Sequence, residues 1–277
     1  MGFEELITEI FKEKRSVLCV GLDLSNKVIP PSYSKEDYLK GLIESTSEDA
    51  VAYKANLSCY VGEENGFYLL KKARELAREN GCIFILDSKP SDVGHTAREY
   101  AKSYLEKINA DAVTVNPFPF MDDTIISFKP YLEKGKTIFI LLYTTSPHSQ
   151  MFLENTYVGK LPLWKFIALK TAGDWSQRYV GAHYSSIGVV ASPRDEQTAR
   201  EIREICDTQV ILAPGFGPQG VPISILKYMT KKVLFPGILA NVGRSIIAKW
   251  KERLEKDPLN VAKREAKKWK EKFDGVI

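Results

Sequence analysis

The chain has 277 residues, of which 44% are hydrophobic and 27% charged, with a formal net charge of +4. That length allows one large domain or two small ones with a substantial core, the composition is that of an ordinary globular protein, and no apolar stretch approaches the roughly 20 residues that cross a bilayer. The surplus positive charge is modest and gathers after Lys249, among residues such as Arg253, Lys256, Lys263, Lys267 and Lys268, where a solvated helical face is a simpler explanation than a nucleic-acid site.

The first segment, Met1 to Lys14, mixes Glu4, Glu5 and Glu9 with apolar residues. It fits neither a secretory signal nor a transit peptide, so a cytoplasmic location is expected. Short runs rich in β-branched and aromatic residues then recur about every 25 to 35 residues, and we read them as strands. They are Val17 to Leu22, Ala50 to Tyr53, Cys82 to Leu86, Ala112 to Val115, Thr137 to Leu142, Ile187 to Val190, Val210 to Ala213 and Val233 to Phe235. Helical spacing of apolar residues marks Tyr68 to Glu79, Thr96 to Lys107 and Asp195 to Ile205 between them. The strands are continuously apolar rather than alternating, which implies burial on both faces and a parallel sheet covered by helices. Eight strand-helix units predict a single (β/α)8 barrel over residues 1–277, with a basic helical extension from about 256. Strand order is invisible in one sequence, so a doubly wound open sheet is the rival.

In a barrel, every strand opens its C-terminal end onto one face, where catalysis is housed. Polar residues collect at those ends here. Asp23 follows the first strand, Lys54 and Asn56 the second, Asn116 the fourth, and Thr144, Thr145 and Ser146 the fifth. The third ends in Asp87-Ser88-Lys89-Pro90-Ser91-Asp92. Strand alternation would project Asp87 and Lys89 to the same side, with Asp92 in the loop beyond. An ordinary rim salt bridge is one reading of this hexapeptide, and an active site with shifted pKa values is the other. The segment Pro214-Gly215-Phe216-Gly217-Pro218-Gln219-Gly220 follows the seventh strand, and Gly243-Arg244 leads into a helix after the eighth. Glycines that admit a ligand to backbone N–H groups, beside a helix N-terminus and an arginine, favour a phosphate. Taken singly, these glycines also suit plain turns and Asp23 suits a cap. The four cysteines lack metal-ligand spacing and read as reduced core residues. The three histidines, His95, His148 and His183, form no triad or ligand set.

On Asp87, Lys89 and Asp92, the lysine of Tyr53-Lys54-Ala55-Asn56, and the segment ending in Gln219-Gly220, the chain resembles the orotidine 5′-phosphate decarboxylases of the longer-chain branch. The resemblance implies a cofactor-free, metal-free decarboxylation of orotidine 5′-monophosphate to uridine 5′-monophosphate in a homodimer with shared active sites. It implies that Lys89 protonates C6, that Asp87 lies beside the substrate carboxylate, and that Lys54 and Asp92 hold the charge array. Asp23 would bind a ribose hydroxyl, Gln219 and Arg244 with the Gly243 backbone would clasp the 5′-phosphate, and Asn56 and Pro214 would also bind the substrate. Ser146, with Thr145 as the alternative, would contact the base, and Asp92 and Thr96 would reach the neighbouring subunit's site. Pro90 departs from the family pattern and removes an N–H from the loop that carries Asp92. Two other readings stay open: a magnesium-dependent sugar-phosphate decarboxylase or aldolase of the same superfamily, and a non-enzymatic nucleotide-phosphate-binding barrel. The magnesium enzymes carry a glutamate where Lys54 stands, and an ammonium there would repel a divalent ion. Neither a nucleic-acid nor a membrane partner is expected.

Overall fold

Each strand has two faces to bury, and the chain satisfies both by closing the sheet on itself. The computed structural model describes residues 2–231, 235–252 and 257–277. Its barrel strands are β1 (Leu18–Gly21), β2 (Ala52–Asn56), β3 (Ile83–Asp87), β4 (Ala112–Val115), β5 (Thr137–Tyr143), β6 (Ile187–Ala191), β7 (Ile211–Pro214) and β8 (Ile238–Val242). Each lies parallel to its neighbour in sequence, and β8 returns to β1 with Leu18 opposite Ala240 and Val20 opposite Val242. That last ladder makes the (β/α)8 barrel and excludes the open doubly wound sheet.

Side-chain alternation sorts the strand residues into two layers. The outward set, including Leu18, Tyr53, Phe84, Val113, Ile140 and Val189, packs under the surrounding helices. The inward set packs within the barrel, with Cys19, Ile83, Ile85, Ala112, Phe139 and Leu239 at its lower levels. Further along the same inward rows the residues become polar: Cys19 and Gly21 lead to Asp23, Ala52 to Lys54 and Asn56, Ile85 to Asp87, Ala112 to Thr114, and Leu239 to Asn241. One period-two rule therefore supplies an apolar floor and a polar top.

The floor is closed from below by helix α1 (Phe3–Lys14), which turns Phe3, Ile7, Ile10 and Phe11 into the barrel interior. The Phe3 ring meets Phe139 edge-on at 6.0 Å. The outer layer comprises α2 (Lys35–Thr46), α3 (Gly66–Glu79), α4 (Gly94–Ala101), α5 (Asp122–Leu132), α6 (Pro147–Asn155), α7 (Leu163–Lys170) and α8 (Glu196–Ile205), then the short α9 (Leu226–Met229) and α10 (Arg244–Ile247), and finally α11 (Pro258–Asp274). The expected helix over Thr96 to Lys107 is α4 plus a π-helical turn, Lys102–Lys107. Asp195 caps α8 by accepting the Thr198 N–H at 2.8 Å. Helix α11 lays Val261, Ala262, Ala266, Trp269 and Phe273 against the body of the protein, chiefly over α2, and leaves Lys263, Lys267 and Lys268 in solvent. Arg253 and Lys256 lie outside the described residues. No helix among the described residues is long and apolar enough to cross a membrane.

One expected strand is misplaced. Of Val233 to Phe235, the first two residues lie outside the described residues and Phe235 sits in a bend, while the eighth barrel strand is Ile238–Val242. Asn241 makes this strand look like a loop in the sequence. Its side chain points inward and donates to the Cys19 carbonyl at 3.1 Å, so a polar residue is accommodated in mid-ladder. At β2 the expected start at Ala50 falls two residues early.

Because α1 seals the floor, truncating Ile7, which is fully buried, opens a void beneath the cavity. Ile7→Ala is expected to destabilise the fold by about 2–5 kcal/mol in urea unfolding. A change below about 0.5 kcal/mol would show that α1 does not pack as described.

Candidate functional site

Above the apolar floor, a cavity of about 500 Å³ opens at the C-terminal ends of the strands, floored by Leu141, Val190 and Leu212. The inward rows of β1, β2 and β3 bring Asp23, Lys54 and Asp87 to one wall of it. Lys54 Nζ lies 2.9 Å from Asp87 Oδ2 and 3.4 Å from Asp23 Oδ1. Lys89 Nζ pairs with Asp87 Oδ1. Negative and positive tips therefore alternate in the order Asp23, Lys54, Asp87, Lys89.

Burial makes this arrangement obligatory. The Lys54 and Asp87 side chains are 6% and 9% exposed, and an isolated charge at that depth would be costly to desolvate. Burial alone would raise the Asp87 pKa, but the neighbouring Lys54 and Lys89 ammonium groups outweigh it and hold the carboxyl well below its ordinary range. For Lys54, burial favours the neutral amine, but the Asp87 and Asp23 carboxylates reverse this and keep its pKa above the usual lysine value. Beneath them, burial pushes the Cys19 thiol up to about 12, which keeps it protonated. All four cysteines are free thiols.

The array reaches Lys89 by a route other than strand alternation. Strand β3 ends at Asp87, and Lys89 lies past it with φ of +48°. This left-handed conformation costs a residue bearing a side chain roughly 1–2 kcal/mol. It folds the lysine back over Asp87. The turn is held from β4, where the Thr114 carbonyl accepts the Lys89 N–H at 3.0 Å. The Thr114 hydroxyl donates to Asp87 Oδ1 at 2.8 Å. Pro90, which has no N–H to give, uses its carbonyl to accept the Asn116 N–H at 3.1 Å, a bond between the segments just past β3 and β4.

The opposite wall is formed by the segment after β7 and the start of α10. Gly215 adopts φ of +106°, and a Cβ there would meet Val221 and Thr145 at under 3.0 Å, so only glycine fits. Pro214, Gly215, Gly217, Gln219, Gly243 and Arg244 face the cavity. The exposed Arg194 guanidinium ties this segment down by donating to the carbonyl of Gln219 at 2.8 Å. At the seam of the barrel, a Cβ on Gly21 would lie 3.0 Å from the Gly243 Cα, so this close approach of β1 to the turn before α10 needs a glycine.

Most of the expected residues meet here: Asp23, Lys54, Asn56, Asp87, Lys89, Thr145, Ser146, Pro214, Gln219, Gly243 and Arg244 all line the cavity. Asp92 and Thr96 do not. Asp92 Oδ1 accepts the Val93 N–H at 2.8 Å at the entry to α4, and Thr124 Oγ1 donates to its carbonyl. Asn116 has a local role, accepting the Phe118 N–H at 3.0 Å. Reading the sequence missed Thr114, Ser149 and the inward placement of Asn241. A lone hydroxyl in the buried run Ala112–Val115 was the available signal for Thr114. Among the described residues no group of His, Cys, Asp and Glu is arranged to hold a metal ion. His95 and His148 are exposed and His183 packs against Phe235, away from the cavity.

Comparison with known proteins places these features in company. The sequence profile of the orotidine 5′-phosphate decarboxylase / HUMPS family matches residues 16–265. The chain is 35% identical over 258 residues to the orotidine 5′-phosphate decarboxylase of Christiangramia forsetii, covering 89% of each chain. It is 28% identical over 290 residues to that of Caldicellulosiruptor saccharolyticus, covering 93% of each. Among solved structures, the OMP decarboxylase of Leishmania donovani superposes with a TM-score of 0.80 at 26% identity, over 100% of this chain and 98% of that one. A Toxoplasma gondii structure described as a putative orotidine-monophosphate decarboxylase gives a TM-score of 0.84 at 25% identity, over 98% and 96%.

Two outcomes are expected of the charge array. Asp87→Asn leaves Lys54 only the Asp23 carboxylate and removes the ion-pair partner of Lys89, and should destabilise the protein by about 3–5 kcal/mol in urea unfolding near neutral pH. The folded-state pKa of Asp87 is depressed, so its contribution is fully present above the unfolded carboxyl value of about 3.9 and is lost as pH falls below that toward the folded value. The stability gap between wild type and variant should therefore be level above about pH 5 and narrow below about pH 4. A gap that widens on acidification would contradict the assigned sign.

Proposed function

The chain belongs to the orotidine 5′-phosphate decarboxylase / HUMPS family, and from that membership we infer that it converts orotidine 5′-monophosphate to uridine 5′-monophosphate and carbon dioxide. The observation that carries the mechanism is the Lys54–Asp87–Lys89 array at the cavity wall. When the bond from C6 to the carboxylate breaks, its electron pair stays on a ring carbon that delocalises it poorly. The Lys89 ammonium, held on the cavity side of Asp87, stabilises that charge as it forms and then gives C6 a proton. Asp87 faces the substrate carboxylate but not the neutral product carbon, so their repulsion is relieved as carbon dioxide leaves. Lys54 keeps Asp87 ionised, and with Asp23 and Asn56 it meets the ribose.

The 5′-phosphate is held by Arg244, Gln219 and the Gly243 backbone, where fixed donors and a guanidinium suit a dianion. Binding there, remote from C6, can order the site around the reacting carbon. Ser146 or Thr145 contacts the base from the mouth of the cavity. No metal is required: a divalent ion would need the Asp23 and Asp87 carboxylates, and both already flank the Lys54 ammonium. The chain, α11 included, works as one barrel domain. Its expected location is the cytoplasm, in keeping with four free thiols.

Asp92 and Thr96 complete the site of a second copy in a homodimer. This reading is supported by their position at the entry to α4, off their own chain's cavity. Nearby, Tyr100 of α4 and Ile126 of α5 leave large apolar side chains in solvent.

Purified protein treated with EDTA should convert orotidine 5′-monophosphate at an undiminished rate, followed by absorbance, and Lys89→Ala should lower kcat by at least about 10² to 10⁴. Unchanged turnover in Lys89→Ala would remove the lysine from its role. Mixing Lys89→Ala with Asp92→Ala should restore up to about a quarter of wild-type activity through one intact site per mixed dimer. Confirmed mixed dimers without activity would reject shared sites.

A further inference from the structure

Thr114 is the only polar residue of β4 and is 1% exposed. A hydroxyl offers one proton and two lone pairs, and all three are engaged at the reacting end of the barrel. The proton goes to Asp87 Oδ1 at 2.8 Å, and the oxygen accepts the N–H groups of Ser88 at 3.0 Å and Lys89 at 3.2 Å. The peptide gripped in this way leads into the left-handed turn at Lys89.

We propose that Thr114 is a positioning residue for the decarboxylation, its hydroxyl tying the Asp87 carboxylate and the Lys89 backbone to one point on β4 and so fixing where the Lys89 ammonium meets C6. The proposal rests on the reading of Lys89 as proton donor.

A lysine ammonium rides on a flexible four-carbon stem. Its position is set by its two ends, the backbone at one and the ion-pair partner at the other. In this chain both ends lead to the same hydroxyl. Without it, the Ser88 N–H loses its acceptor and the Asp87 carboxylate keeps only lysine donors, while the Lys89 N–H keeps the Thr114 carbonyl at 3.0 Å, so the turn stays on β4 but is no longer tied to the carboxylate that holds the ammonium. A displacement of about 1 Å between reacting groups can cost on the order of a hundredfold in rate. The phosphate contacts lie across the cavity and do not involve β4, so substrate binding should be little affected.

The test compares kcat and KM for Thr114→Val, which keeps the branched shape and removes the hydroxyl, with Thr114→Ser, which keeps the hydroxyl and removes the methyl. Thr114→Val should lower kcat about ten- to hundredfold with KM changed less than about threefold, and Thr114→Ser should stay within about threefold of wild type. Wild-type kcat in Thr114→Val, a loss confined to KM, or equal losses in both variants would overturn the proposal. Should Thr114→Val fail to fold, Thr114→Ala takes its place, and failure of both would overturn it by showing that the hydroxyl serves the fold rather than the lysine. Lys89→Ala is measured alongside. An active Lys89→Ala would refute the donor reading itself, whereas an inactive Lys89→Ala beside a fully active Thr114→Val would refute only the role of Thr114.

Discussion

The Asp87 carboxylate, nearly buried at the end of β3, is the point on which the rest of the site depends. A lone carboxylate at that depth would take up a proton or destabilise the fold. It is kept ionised by donors on both oxygens: Lys54 on one, and Lys89 with Thr114 on the other. Each of those groups is in turn committed. Lys54 also faces Asp23, and Thr114 also holds the turn that carries Lys89. The outcome is a fixed ammonium at the cavity wall whose counter-charge cannot swing away. Electrostatic stabilisation of a developing carbanion needs that preorganisation, because reorienting charges during the reaction would cost what they return.

The barrel provides this geometry through one repeated rule. Inward rows are apolar low in the barrel and polar at the top, so the charged groups stand on an apolar floor of Leu141, Val190 and Leu212. Helix α1 seals that floor from below with Phe3, Ile7, Ile10 and Phe11. Low polarity beneath and beside the array strengthens the charge interactions within it. The opposite wall is built mainly from glycine- and proline-rich backbone, with Gln219 and Arg244. Gly215 and Gly21 let the turn after β7 and the start of α10 pack closely against their neighbours, and Arg244 faces the cavity beside them, on the side proposed for the phosphate.

Much of this was legible in the sequence because strand periodicity and end-of-strand polarity are local properties. Seven barrel strands fall near their expected positions, and eleven of the thirteen proposed site residues line one cavity. The failures have physical causes. The eighth strand was misread because Asn241, a polar residue in mid-strand, has its hydrogen bond satisfied by the Cys19 carbonyl 222 residues away, a partner no local pattern reveals. Asp87 and Lys89 were expected to converge by alternation, yet they meet because Lys89 adopts a left-handed turn stabilised from the neighbouring strand. Thr114 was missed for the same reason: its importance lies in three bonds, to Asp87 at the end of β3 and to Ser88 and Lys89 just past it, and composition shows only one threonine in an apolar run. Asp92 and Thr96 lie off their own chain's cavity, so their assignment turns on an assembly that a single chain does not display.

The central claim, that Asp87 stays ionised between two ammonium groups and a hydroxyl, is tested most directly by a carbon-13 NMR titration of its side-chain carboxyl in the folded protein. The carboxylate signal should not have moved when the pH is lowered to about 3. A transition centred near the ordinary aspartate value of about 3.9 would contradict it.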